Sequence, residues 1–238
     1  INHYRVVQKF GLKQNQRLRL IKQVRKYPYT HYNRFSDTTG RKYLVGEAKV
    51  PSVTTILSAT KDKRFLENWR RKVGNAEADR IMNQASTIGT EMHQVLEYAY
   101  NGAGYFNASE SGKQPRMMAK IILQNLKIEE VWGNEVSLEY KNQFAGTTDL
   151  VAMAYGKPSI VDFKQANKPK KEEWVEDYKL QLGAYYLAHK ENYGPIEQGV
   201  ISICTRGLQY QEFKLQEPEL MEFGEKFLER VEQFKKLQ

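Results

Sequence analysis

Two short segments constrain this chain more than any other feature: Gly146-Thr147-Thr148-Asp149 and Ile160-Val161-Asp162-Phe163-Lys164, whose acids stand thirteen residues apart. Leu150 to Tyr155 is an apolar, β-type run continuing from the first acid. Gly156-Lys157-Pro158-Ser159 supplies turn residues, and Ser159 to Phe163 makes a second run. A hairpin follows. In a tight hairpin the start of one strand lies beside the end of the next, so Asp149 and Asp162 meet at one edge of a sheet. Side chains alternate along a strand, so Asp162 and Lys164 point one way while Phe163 points into the opposite layer. Two carboxylates and a lysine so placed suit phosphodiester hydrolysis. The acids hold a hard divalent cation such as Mg²⁺, and the lysine orients water or steadies the transition state. The same residues also read as solvated charges at a strand end.

The flanking segments bear on that choice. Trp174 to Asn192 reads as a helix whose apolar stripe is Val175, Tyr178, Leu182, Tyr185 and Leu187-Ala188, ended by Gly194-Pro195. Gln181 and Tyr185, four apart, share a face of it, which suits an amide and a phenol reaching one nucleic-acid strand; Tyr185 by itself also reads as a core aromatic. Upstream, Asn75 to Tyr100 is helical, with Ile81, Ala85, Ile88, Met92, Leu96 and Ala99 as the buried stripe. Gly89, His93 and Glu97 fall on an adjacent face, where a glycine permits close approach beside a projecting histidine. Val131 to Tyr140 reads as the first strand of the sheet, Val136, Leu138 and Tyr140 alternating with polar residues. Glu135 and Glu139 lie on its other face, where a strand carboxylate reads as solvent-facing.

The order of these pieces resembles the PD-(D/E)XK nuclease superfamily, and the Q-x-x-x-Y helix directly after D-x-K resembles its RecB-like branch. Within that branch the likeness is to the mitochondrial genome maintenance exonucleases and their phage-encoded relatives. It is carried by Pro51-Ser52-Val53-Thr54-Thr55-Ile56-Leu57, the G-x-x-x-H segment at Gly89 to His93, Gly146 to Asp149, and Asp162 to Lys170. The resemblance implies an α/β nuclease core, a mixed β-sheet flanked by helices. It implies metal ligation by Asp149 and Asp162 with His93 assisting, the backbone carbonyl of Phe163 and Glu135 as further ligands, and Lys164 as the catalytic lysine. Gln181 and Tyr185 position DNA. Mg²⁺ prefers oxygen ligands, while Mn²⁺ accepts an imidazole more readily. Gln165 departs from the pattern, standing where threonine or serine is expected.

Charge placement adds a partner. The first fifty residues carry twelve Lys or Arg against two acids, whereas the remainder carries 25 against 26. Arg17, Arg19, Lys22, Arg25 and Lys26, followed by Tyr27, Tyr29, Tyr32, Arg34 and Phe35, offer phosphate-binding charge and stacking faces together, as single-stranded nucleic acid needs. The alternative is a basic arm whose aromatics are buried on the core. Gln14 to Lys26 fits a helix through Leu18, Ile21 and Val24, or a strand through Leu18, Leu20 and Lys22. Phe35 to Val45 reads as a hairpin around Asp37 to Gly40, and Lys168 and Lys170 add cations after the D-x-K strand. Residues 101–115, rich in Gly, Ser and Asn, read as a mobile loop before a helix at Met117 to Lys127.

These features give residues 1–50 as a basic N-terminal extension and 51–238 as a nuclease domain. One cysteine, Cys204, excludes an internal disulfide and a four-cysteine iron-sulfur cluster. No run of eighteen apolar residues is present to span a membrane. The sequence begins at Ile1, so a targeting segment is not readable from it; the resemblance implies a bacterial or phage-infected cytoplasm, or alternatively a mitochondrial matrix. The expected activity is metal-dependent exonucleolytic hydrolysis of single-stranded DNA from free ends, in replication, recombination or repair. The alternatives are a flap or junction endonuclease and a catalytically silent DNA-binding module.

Overall fold

The computed structural model describes residues 4–6, 20–102 and 112–238. In chain order the elements are β1 (Tyr4–Val6), β2 (Leu20–Gln23), β3 (Asn33–Asp37), β4 (Gly40–Val45) and β5 (Ala48–Pro51). The helices α1 (Val53–Thr60), α2 (Arg64–Val73), α3 (Asn75–Tyr100) and α4 (Lys113–Asn125) come next. They are followed by β6 (Ile128–Tyr140), β7 (Phe144–Ala154), β8 (Lys157–Ala166), α5 (Glu176–Asn192), β9 (Gln198–Thr205), β10 (Tyr210–Gln216) and α6 (Glu217–Lys235). Seven strands make one mixed sheet in the order β1-β2-β6-β7-β8-β9-β10, and β3-β4-β5 make a small antiparallel one. Within the large sheet β2 with β6 and β8 with β9 are parallel.

Strand alternation divides the core into two layers. Leu150, Ala152, Val161, Phe163, Val200 and Cys204 pack under α3 and α4, against Met92, Leu96, Met118 and Ile122. Their neighbours Val151, Ile160, Ile201 and Ile203 pack on the other side under α1, α5 and α6, against Ile56, Leu182, Tyr186 and Phe227. Every residue of β9 is buried, as a strand covered on both faces requires. The architecture is thus the expected mixed sheet flanked by helices. Among the described residues no helix is long and apolar enough to cross a membrane.

Several local expectations shift. The β7–β8 turn is Tyr155-Gly156, both with positive φ (53° and 73°) as a two-residue hairpin loop demands, so Lys157 to Ser159 belong to the strand. The helix at Trp174 starts at Glu176, with a 3₁₀ turn over Glu172–Trp174 before it. In α3 the stripe is buried only from Met92 onward, besides Ala78. Ile81, Ala85 and Ile88 are half-buried, because this end is flanked by α2, which buries no residue of its own. Residues 20–23 form a strand pairing with Glu130 and Val131 of β6, so this part of the basic segment closes onto the sheet. Arg17, Arg19 and most of the loop after α3 lie outside the described residues.

α5 is buried on nearly all sides between sheet and α6. A Cβ on Gly183 would lie 2.4 Å from the Gly224 nitrogen, so the two helices cross with backbones in contact. That crossing fixes where Gln181 and Tyr185 stand.

Candidate active site

The paired β7–β8 ladder ends at Leu150 and Val161, leaving Asp149 and Asp162 next to each other just beyond it. Asp149 folds across the gap: its Oδ2 accepts the Phe163 N–H at 2.6 Å. Its Oδ1 lies 3.2 Å from Nδ1 of His93, delivered by α3. On the β6 side, the pairs Asn134–Leu150 and Val136–Thr148 leave Glu135 opposite Asp149. Glu135 holds φ of 50°, a left-handed backbone that a glutamate adopts at a cost of roughly 1–3 kcal/mol. Ligand atoms of His93, Glu135 and Asp149 all come within 4.8 Å of one another.

Asp162 and Lys164 project from the same face of β8, and Lys164 Nζ lies 2.5 Å from Asp162 Oδ2. Phe163 points the other way, stacked on Tyr100 with ring centroids 5.7 Å apart. Lys164 also donates to Gln181 Oε1 at 3.1 Å, and Gln181 Nε2 donates to the Tyr185 hydroxyl at 3.0 Å. Gln181 and Tyr185 are thus buried side chains that spend their polar atoms on the lysine and on each other. Asp162 Oδ2 is buried and accepts no well-aligned hydrogen bond, meeting only the ammonium.

Electrostatics follow from this crowding. Burial raises the Asp162 carboxyl to about 6, against the pull of Lys164. Burial also raises Asp149, but the His93 charge and hydrogen bond outweigh it and hold that carboxyl below its ordinary value. Burial works to lower His93, yet Asp149 lifts it to about 9. Glu135 rises to about 7 through burial and the charges of Asp149 and Glu97. Among the described residues, the carboxylates of Glu135 and Asp149 and the His93 imidazole converge closely enough to fit one divalent ion with oxygen preference and tolerance for nitrogen, while Asp162 beside them is engaged by Lys164.

The site opens into a cleft of about 430 Å³. One wall is α3, with Gly89, Thr90, His93 and Glu97; the other is the small sheet, with Arg34, Arg41 and Tyr43. This sheet is fastened by the Tyr43 hydroxyl to Thr147 Oγ1 at 2.9 Å and by a backbone bridge between Ser52 and Ala145. Of the two cleft arginines, Arg34 belonged to the basic and aromatic run read for nucleic-acid binding, whereas Arg41 was not assigned; the approach of both to the cleft depends on those long-range contacts and has no local signal. The other cations are elsewhere. Lys22 pairs with Glu130 at 3.2 Å, Lys26 sits 3.7 Å over the Trp132 ring, and Arg25, Lys168 and Lys170 do not line the cleft. Tyr27 and Tyr29 pack on His189 and Tyr193 at the end of α5, with the Tyr29 hydroxyl 3.0 Å from His189 Nε2. Gly89 lines the cleft, and a Cβ there would meet only Gln165 Cγ at 3.5 Å, an ordinary contact.

A family model of the PD-(D/E)XK nuclease superfamily matches residues 63–237. The chain belongs to that superfamily. It is therefore a phosphodiester-hydrolysing nuclease of a superfamily that uses divalent metals. Among solved structures the nuclease is similar to a phage-related exonuclease from Haemophilus somnus 129PT, at 10% identity and a TM-score of 0.39, covering 79% of this chain and 93% of that one. It is also similar to the alkaline exonuclease LHK-Exo from Laribacter hongkongensis, at 12% identity and a TM-score of 0.33, covering 79% and 92%. No curated protein matches it.

Proposed function

We propose that this nuclease is a RecB-like exonuclease that degrades single-stranded DNA from free ends with Mg²⁺ or Mn²⁺. The observation carrying the reading is the convergence of Glu135, Asp149, Asp162, His93 and Lys164 at the floor of one open cleft whose rim carries Arg34 and Arg41. Residues 1–50 act as a basic extension on the 51–238 nuclease domain, its cations steering a polyanion toward the cleft. Arg34 and Arg41 hold strand phosphates.

Asp149, Asp162, Glu135 and His93, with the Phe163 carbonyl as a further oxygen, would hold the ion. When bound, such an ion lowers the pKa of water and neutralises charge building on the phosphate. Lys164 orients the attacking water and faces the developing negative charge, its ammonium kept in place by Asp162 and Gln181. Tyr185 holds Gln181 in turn, and both form the floor over which the strand passes.

The test is time-resolved cleavage of end-labelled linear single-stranded DNA beside a covalently closed circle, with Mg²⁺, Mn²⁺ or EDTA and a Lys164→Ala control. Metal-dependent loss of the linear strand alone is expected. Cutting of the circle would make the protein an endonuclease, and binding without cleavage of either would make it a silent module.

A further inference from the structure

The ammonium of Lys164 is held by more than the strand carboxylate and the helix amide. Its Nζ lies 2.5 Å from Asp162 Oδ2 on β8 and 3.1 Å from Gln181 Oε1 on α5, and it also sits 5.0 Å from the ring centroid of Tyr178. Tyr178 lies in the first turn of α5, three residues before Gln181 and seven before Tyr185, so the three side chains share one face of the helix. Lys164, Gln181 and Tyr185 line the cleft, whereas Tyr178 does not. The ring therefore reaches the chemistry only through the lysine.

The start of α5 is fixed on both sides of this ring. Asp177 meets Arg230 of α6 at 3.5 Å through Oδ1, and through Oδ2 it meets Lys61, just after α1. Lys179 pairs with Glu172 of the 3₁₀ turn, and the Tyr178 N–H donates to the Val175 carbonyl at 3.0 Å. A half-buried tyrosine between two such neighbours has few positions open to it. An aromatic face attracts an ammonium through its quadrupole, more strongly where water is excluded. Asp162 and Gln181 engage the ammonium through oxygen. The ring holds the charge without taking up an N–H as an oxygen does, which leaves donor capacity for water or a phosphate oxygen in the cleft.

We propose that Tyr178 is a positioning residue for Lys164, its ring steadying the ammonium so that the N–H not engaged by Asp162 or Gln181 faces the attacking water and the phosphate. This rests on the nuclease reading for the role of the lysine, while the hold of the ring on the lysine stands on the geometry alone.

The experiment uses the full chain as wild type, Tyr178→Phe, Tyr178→Leu and Lys164→Ala. With end-labelled single-stranded DNA and saturating Mn²⁺, Tyr178→Leu should lower kcat roughly 3- to 30-fold with KM little changed. Tyr178→Phe, which keeps the ring, should stay within about twofold of the wild type. Lysine labelled with ¹³C at Cε gives a second reading by NMR in EDTA, independent of cleavage. The Lys164 ε-methylene signal, assigned by its loss in Lys164→Ala, should lie upfield of the other lysines through the ring current. It should keep its place in Tyr178→Phe and return toward the others in Tyr178→Leu. Wild-type kcat in Tyr178→Leu would overturn the proposal, as would a Lys164 signal that does not move in that variant. Equal loss of rate in Tyr178→Phe and Tyr178→Leu would overturn it too, because the hydroxyl and not the ring would then matter. A wild type that cleaves no DNA but shows the expected signals would sink the nuclease reading and leave the hold of the ring on the lysine standing. If Tyr178→Leu fails to fold, Tyr178→Phe with its ring hydrogens replaced by fluorine keeps the shape and removes the attraction. That variant should lose rate as the leucine would, and full rate in it would overturn the proposal.

Discussion

Gly146 and Tyr185 occupy adjoining space: a Cβ at Gly146 would lie 2.5 Å from Cε1 of the tyrosine ring. The glycine that opens the β7 motif is small because the tyrosine of the α5 motif needs its place. Tyr185 supports Gln181, and Gln181 accepts from Lys164, so the packing reaches Lys164, the proposed catalytic lysine, in three contacts. Gly146→Ala should push the ring aside, cost about 1–3 kcal/mol of stability, and lower turnover at least tenfold. Urea unfolding and cleavage of an end-labelled oligonucleotide read the two effects separately. Lost stability with unchanged turnover would show that the ring does not hold the lysine.

Gln181 gives a sharper test of the same chain. Removing the acceptor of a buried charged hydrogen bond costs about 1.5–3 kcal/mol. If that loss falls on the transition state, Gln181→Leu should lower kcat by roughly 10- to 150-fold with KM little changed. Gln181→Glu, which keeps an acceptor for Lys164, should recover much of the rate. Equal rates in both variants would free Gln181 of this role.

The hairpin carrying Asp149, Asp162 and Lys164 was legible because it is local: period-two alternation and a turn decide which side chains share an edge. The α3 span was legible from its apolar period, which also set His93 beside the stripe. Glu135 remained ambiguous, because its left-handed backbone turns it toward Asp149 in a way strand alternation does not describe. Arg41 stayed hidden for another reason, and Arg34, read as part of the basic and aromatic run, gave no sign of its place at the cleft. They reach the cleft only because Tyr43 bonds Thr147 and Ser52 bridges Ala145, contacts across about a hundred residues of chain. The basic arm was read from its charges and the aromatics that follow them, and neither says that Lys22 meets Glu130 or that Lys26 covers Trp132.

Arg34 and Arg41 line the cleft, Arg34 near enough to Glu135 for its charge to favour that carboxylate's ionised form. Each should therefore contribute one phosphate contact. Arg34→Ala and Arg41→Ala should each weaken single-stranded DNA binding irrespective of sequence and reduce the salt slope by about 1. Lys22→Ala and Lys26→Ala, whose charges are engaged elsewhere, should change the slope less. Titration by anisotropy at several salt concentrations decides; a larger change at Lys22 or Lys26 would move the strand off this rim.

Ion binding and metal-free stability should respond to pH in opposite directions at this site. His93 is raised from 6.5 to about 9, Asp149 overcoming the effect of burial, and Glu135 is raised from 4.5 to about 7 by burial and neighbouring acids. Both hold a proton more tightly folded than unfolded. The stability this gives the metal-free protein is complete below the unfolded values and disappears as pH climbs through about 7 for Glu135 and about 9 for His93. An ion using the same atoms needs both protons gone, so its affinity rises over that range, by up to about tenfold per pH unit for each proton released. In EDTA the melting temperature of the wild type should fall between pH 6 and pH 9 relative to His93→Gln and Glu135→Gln. The increment given by Mn²⁺ should grow over the same interval, and less steeply in each variant. Calorimetric titration of Mn²⁺ in two buffers of different ionisation enthalpy counts the protons directly. A wild-type increment independent of pH, with no proton released, would take His93 and Glu135 out of the ion's ligand set and leave it to Asp149 and Asp162.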